Sequence, residues 1–165
     1  MWIDNKLKIF SDNSSDILLF IKENKKIKNK GSKKEKVLSR LSFELSVPIQ
    51  FQKSKEGWQL EQCKKWGCIG IHKDSYLRFN NTDDTMYQFK TKKLAPIIWL
   101  IKVSKLEKYK NIDFLLRSDY KEKTGILHIK GGVIFLFKEL ETDFNFCSLE
   151  KEIYFSKFDY MYKNK

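Results

Sequence analysis

Cys63, Cys68 and His72 stand close together, in and just after a stretch that reads WQLEQCKKWGCIG over residues 58–70. Thiolates and an imidazole at short spacing are the raw material of a zinc site, which takes four such donors in a tetrahedron, usually from tight pairs at turns. Here the spacing is C-x4-C-x3-H, Gly67 and Gly70 leave room for a knuckle, and Cys147 is the remaining thiol. A second tight pair is missing. With residues 69–72 as a strand, Cys68 and His72 would share a face but lie about 13 Å apart, too far for one ion. The expectation is no metal; Cys63, Cys68 and His72 would be the ligands of one.

Other reaction chemistries find few parts. His72 and His128 are the only imidazoles, and no serine sits in a G-x-S-x-G elbow. No P-loop and no dinucleotide fingerprint occurs. Carboxylates cluster at Asp83–Asp84, at Asp113 with Asp119, and at Glu139 with Glu141 and Asp143. A metal-dependent nuclease needs such groups to converge on one or two ions. Asp113 and Asp119 share strand parity but are well separated, and Asp83–Asp84 fall in a turn. The reading is a chain with no catalytic residue and no cofactor, with a nuclease as the weakest alternative.

Charge is the stronger signal. Lysine and arginine number 33 against 21 acidic residues, a formal charge of +12, and only Arg40, Arg78 and Arg117 are arginines. Such a surplus repels other copies and attracts polyanions. Residues 22–36 carry eight lysines and two glutamates around Gly31–Ser32. That run reads either as a solvated helix end and loop or as a basic arm that meets phosphate. The lysines expected to grip a partner are Lys25, Lys26, Lys28, Lys30, Lys33 and Lys34, with Lys64 and Lys65 next. Arg78, Lys92 and Lys93 flank aromatics at Tyr76, Phe79, Tyr87 and Phe89. Strand aromatics beside cations suit base stacking, although the RRM signature is absent. The competing explanation is compositional: Lys, Asn, Ile and Phe are over-used together, as in an AT-rich genome.

The elements that must position these groups follow from periodicity. Residues 2–10 alternate as a first strand, with Trp2, Asp4, Leu7 and Ile9 set against Asn5, Lys6 and Lys8, and with Asn13 and its neighbours as cap residues. From Asp16 the apolar residues Ile17, Leu18, Phe20 and Ile21 fall at helical spacing, fading near Asn24. Leu41, Phe43, Leu45 and Val47 alternate, predicting a second strand over 38–48 that Pro48 ends. Residues 58–70 read as a corner entering a strand, packed down by Trp58 and Trp66. Residues 69–79 and 86–91 make a hairpin around the turn cluster at 80–84. Pro96 opens the clearest helix, with Ile97, Leu100, Ile101 and Ser104 on its stripe. Strands follow over 112–120, 126–130 and 133–137, with turns at 121–125 and Gly131–Gly132. The aromatic-rich end, 150–165, would form an extension. One domain over 1–165 results, α+β, with two helices on one face of a mainly antiparallel sheet and extra C-terminal strands.

Several of these short elements resemble one family. Asn5–Ile9 with Asp16, Ile17 and Phe20, the strand ending in Pro48, Trp58 with Trp66–Gly67, Phe89–Thr91, Ala95–Pro96, Leu100, Val103–Ser104, Gly125 and Gly132 are similar to the YubB ferredoxin-like, or Api-like, proteins of phages and plasmids. The likeness is best over 58–132. Cys68–Ile69–Gly70–Ile71 departs from it, where a further tryptophan is usual, and one proline opens the helix where two are common. The resemblance implies a ferredoxin-like fold and a mobile-element origin, but no chemistry.

Together, origin and charge give the functional expectation. It is a non-catalytic inhibitor of host nucleic-acid-targeting defence, anti-CRISPR-like, that binds the effector protein, its guide RNA, or both. Trp2, Trp58, Trp99 or Tyr120 would serve as anchors. A free RNA- or ssDNA-binding module is the alternative. No apolar run approaches the ~20 residues of a membrane span, the N-terminal residues are charged, and three cysteines form no disulfide framework. The expected setting is the cytoplasm of a bacterial host, with no membrane and no small-molecule substrate.

Overall fold

The alternation at the N-terminus builds the centre of the sheet. The computed structural model describes residues 1–26, 40–71, 76–80 and 85–141. Strand β1 is Trp2–Phe10, and Ile3, Asn5, Leu7 and Ile9 all point into the core while the even positions face away. The expected grouping, which put Trp2 inside and Asn5 outside, is corrected. Asn5 tolerates burial because its side chain is fully bonded: Nδ2 donates to Thr91 Oγ1 (2.9 Å) and to Ile3 O (3.1 Å), and Ser118 Oγ donates to Oδ1 (2.7 Å).

Helix α1 (Ser14–Glu23) starts where Asn13 Oδ1 accepts from the Ser15 N–H, and it buries Ile17, Phe20 and Ile21. A two-residue ribbon, β2 (Lys25–Lys26) with β3 (Arg40–Leu41), follows it. Of the strand predicted over 38–48, Arg40–Leu41 is strand and 38–39 lie outside the described residues, but the rest is not strand. After β3 the chain forms a single turn, α2 (Phe43–Ser46). Phe43 and Val47 both reach the core, as residues four apart on a helix do, and Leu45 is left exposed. Alternation over seven residues had the same apolar positions but the wrong period.

The corner predicted over 58–70 is mostly helix. Helix α3 spans Lys55–Trp66; Ser54 Oγ caps Gly57 N–H, and Gly67 closes it in the left-handed conformation (φ 80°), donating to Cys63 O. Its inward stripe is Trp58, Gln62 and Trp66, and the buried Gln62 dilutes the apolar signal. A Cβ on Gly67 would stand 3.2 Å from Ile98 Cγ1, and φ is unfavourable for any other residue. Gly67→Ala should therefore cost about 1–2 kcal/mol, read as a lower urea midpoint with an unchanged slope.

Strands β4 (Ile69–Ile71) and β5 (Tyr76–Asn80) both pair with β6 (Thr85–Lys92). Helix α4 (Ile97–Ser104) opens at Pro96 as predicted and buries Trp99, Leu100, Val103 and Ser104. A 3-10 turn, Glu107–Tyr109, leads to β7 (Asp113–Asp119), β8 (Lys123–Lys130) and β9 (Val133–Glu141). Gly131 and Gly132 take positive φ in the β8–β9 turn (54° and 78°), as a two-residue hairpin requires.

The fold is α+β. Among the described residues the sheet is antiparallel throughout, in the order β4-β6-β1-β7-β8-β9, with β5 also on β6, and four α-helices accompany it. Aromatic contacts organise the core. Phe43 stacks on Trp99 (4.3 Å) and meets Trp66 and Phe89 edge-on; Phe20 meets Tyr87, Tyr109 and Phe114 in the same way. The expected C-terminal extension over 150–165 lies outside the described residues.

Candidate partner-binding surface

The sheet brings distant lysines to one end of the molecule. Register places Trp2 of β1 directly opposite Lys92 of β6, and Ile69 of β4 opposite Lys92 on the other side. Directly opposed residues share a face of the sheet. Beyond Lys92 the chain turns sharply. Lys93 sits at φ 74° and donates its N–H to Met1 O (3.1 Å), and Leu94 N–H returns to Lys92 O. A lysine in this region costs about 1 kcal/mol relative to glycine. The buried network beneath holds the turn: Thr91 Oγ1 donates to Leu94 O (2.8 Å) and accepts from Asn5. Lys92, Lys93 and Leu94 are thus fixed at the surface by polar groups inside.

A second basic group lies where α3 meets α4. Its closing residue Gly67 packs on Ile98 of α4, and Lys102 Nζ donates to Lys65 O (3.2 Å). Lys64 is exposed and weakly paired with Glu61 (3.8 Å); Lys65 is half-buried. The candidate strip takes in two groups: Lys64, Lys65 and Lys102 beside Ile98 on the helices, and Lys92 and Lys93 beside Leu94, Met1 and Trp2 at the end of the sheet, with Lys92 and Trp2 on the face turned from the helices. Lys65, Lys92 and Lys93 make no ion pair among the described residues. Trp2 keeps 48% of its surface exposed and Leu94 57%. Next to the strip Lys90 pairs with Asp4 (3.3 Å), both exposed, a contact of little net energy. Lysines set among apolar groups in this way can hold an acidic surface and desolvate part of it at once.

Of the lysines the sequence pointed to, the described residues place Lys64 and Lys65 at the end of α3, beside Lys102, and Lys92 and Lys93 at the end of β6, beside Met1 and Trp2. Lys25 and Lys26 are elsewhere, in β2. Lys28, Lys30, Lys33 and Lys34 lie outside the described residues, and Arg78 lies in β5 with its side chain outside them. Sequence reasoning missed Lys102, Leu94 and Ile98. Ile98 carried a readable signal: it falls off the buried stripe of α4.

Other expectations are corrected. Tyr87 and Phe89 are buried beneath the helices, so they offer no surface to a base; the side chains of Tyr76 and Phe79 lie outside the described residues. Trp99 is fully buried and cannot be a surface anchor. Trp58 is half-buried against Phe51. Cys68 fills the core, and burial pushes its thiol far above the usual range, with a smaller effect from Cys63. His72 lies outside the described residues, and among those described no three metal-ligating side chains gather. Asp113 and Asp119 occupy opposite ends of β7. Asp113 meets His128 Nε2 (3.0 Å) and Lys130 Nζ (3.2 Å), and Asp119 meets Arg117 Nε (2.8 Å) and Thr124 Oγ1 (2.8 Å). Asp83 and Asp84 lie outside the described residues.

No family model, curated protein or solved structure matches this chain. Among the described residues, no helix is long and apolar enough to cross a membrane.

Proposed function

We propose that this chain is a non-catalytic accessory of a phage or other mobile element that inhibits host nucleic-acid-targeting defence, in the manner of an anti-CRISPR. It acts in the bacterial cytoplasm by seating its basic strip on an effector protein, where that protein holds or is about to hold nucleic acid. The observation that carries this reading is lysines set beside exposed apolar side chains: Lys64, Lys65 and Lys102 with Ile98, and Lys92 and Lys93 with Trp2 and Leu94. Bare phosphate needs only the cations. Apolar side chains among them favour a protein face, or a protein with its guide RNA in place, over free nucleic acid.

The proposed fold is ferredoxin-like with added strands, within the YubB ferredoxin-like, or Api-like, group. In support, the order strand, helix, paired strands, helix, strand is present in β1, α1, β4 and β5 with β6, α4 and β7. Those strands lie side by side as β4-β6-β1-β7. Helices α2 and α3 are then insertions ahead of the second strand position.

The test is plasmid interference in bacteria carrying a panel of RNA-guided nucleases. Expression of the chain should restore survival of a targeted plasmid with at least one nuclease, to the level seen with a catalytically dead nuclease. Undiminished interference across the panel would reject the proposal.

A further inference from the structure

The face of the sheet turned from the helices is buried where an open face is expected. Leu7, Phe89, Leu116 and Leu127 share the parity that packs on the helices. Leu115, Ile126 and Met86 have the other parity. Leu115 stands opposite Lys8 and His128, Ile126 opposite Arg117 and Lys138, and Met86 opposite Lys8. The core cluster that the helices share takes in none of the three. Yet Leu115 is 3% exposed, Ile126 1% and Met86 8%. An antiparallel sheet packed on one side usually carries solvated polar residues on the other. Here three large apolar side chains, on three strands, are out of water. At one end the same face is open, for Trp2, Asp4, Lys90 and Lys92 are exposed.

We infer that the chain's own residues 142–155 cover the middle of this face, as an acidic and aromatic strap over a basic sheet. Burial within a single chain requires a cover from that chain, and four stretches lie outside the described residues. Residues 72–75 (HKDS) and 81–84 (NTDD) have no large apolar group. Residues 27–39 carry five lysines and one glutamate. The face holds Lys6, Lys8, Arg117, Lys130 and Lys138 against Asp113 and Asp119, so it repels a lysine-rich stretch. Residues 142–155 (TDFNFCSLEKEIYF) suit it in both respects. Asp143, Glu150 and Glu152 stand against Lys151 alone, and Phe144, Phe146, Leu149, Ile153, Tyr154 and Phe155 supply apolar surface. Opposite charges meet, and the apolar groups can close over Leu115, Ile126 and Met86. Reach is sufficient. These residues follow β9 directly, and β6 is four strand spacings away, about 19 Å, which about six extended residues span. The strap fills the middle of the face and leaves the end with Trp2, Lys90 and Lys92 open to a partner.

Zero-length carbodiimide cross-linking of the full chain tests this, in dilute solution, with the monomer isolated before mass spectrometry. Asp143, Glu150 or Glu152 should be joined to Lys6, Lys8, Lys130 or Lys138. Links from these carboxylates only to lysines elsewhere, such as Lys22, Lys55 or Lys102, overturn the inference, and so does the absence of any link. A second measurement reads the cover itself. Joint replacement of Asp143, Glu150 and Glu152 by lysine should lift the strap and raise the fluorescence of a dye that binds exposed apolar surface at least about threefold. Joint replacement of Asp12, Glu107 and Glu122, exposed elsewhere, changes the formal charge equally and should leave the dye signal unchanged. Equal dye signals from the two variants would also overturn the inference.

Discussion

Replacing Lys64, Lys65, Lys92 and Lys93 together by glutamate should weaken inhibition by at least about 100-fold, or about 2.7 kcal/mol of binding. Each of these side chains lies on the strip, and reversing the sign turns attraction into repulsion against the same acidic surface. Net charge alone also speeds association, so a matched control is needed. Lys22, Lys53, Lys55 and Lys110 are exposed and lie elsewhere. Their joint reversal changes the formal charge equally and should cost less than about fivefold. The comparison is made in the plasmid-survival assay and by direct binding. Equal losses in the two variants would mean that the whole molecule's field acts, and the strip does not.

Trp99→Ala should be the most damaging single core change, at about 3–5 kcal/mol. The indole is fully buried, stacks on Phe43, and donates from Nε1 to Ser46 Oγ (3.1 Å). Truncation leaves a cavity where α4 meets α2 and removes a ring pair together with the hydrogen bond that ties them. A domain of this size is stable by about 5–15 kcal/mol, so the variant should sit near the edge of unfolding. Urea titration followed by circular dichroism reads the loss directly. Trp58→Ala, at a half-buried site in the first turn of α3 against Phe51, should cost under about 1.5 kcal/mol. A Trp99 variant as stable as the Trp58 variant would contradict the packing described.

The pattern of hits and misses has a physical cause. β1, α1, α4 and the three C-terminal strands carry one clear period each, bounded by strong punctuation: Asn13, Pro96 and Gly131–Gly132. There local preference and tertiary packing agree on the element, although in β1 Trp2 is exposed and Asn5 buried, against the pattern. Residues 43–47 were ambiguous because apolar groups at every second position include a pair four apart. Only the burial of Phe43 and Val47 with Leu45 outside decides for a helix. Helix α3 hid behind the buried Gln62 and its many charged neighbours, although Ser54, Lys64, Lys65 and Gly67 mark its ends in the usual way. The aromatics of β6 were assigned to a surface because parity tells which residues share a face but not which face is covered.

The candidate surface was legible as residue types and not as a place. Lys64–Lys65 and Lys92–Lys93 are two separate basic pairs in the sequence. The place of Lys92–Lys93 depends on β1 and β4 pairing with the end of β6, and that of Lys64–Lys65 on α3 closing against Ile98. Trp2 joins them through the β1–β6 register, over a separation of ninety residues. No local pattern encodes contacts of that range.

The most direct test of the central claim is a titration of the purified chain into a sensitive effector–guide complex, with target cleavage as the readout. The account predicts complete inhibition at about one chain per effector, weak binding to naked RNA or single-stranded DNA, and no strand cutting by the chain itself. Tight binding to naked oligonucleotides that falls steeply with salt, with the effector left active, would contradict it, as would multiple-turnover cleavage by the chain.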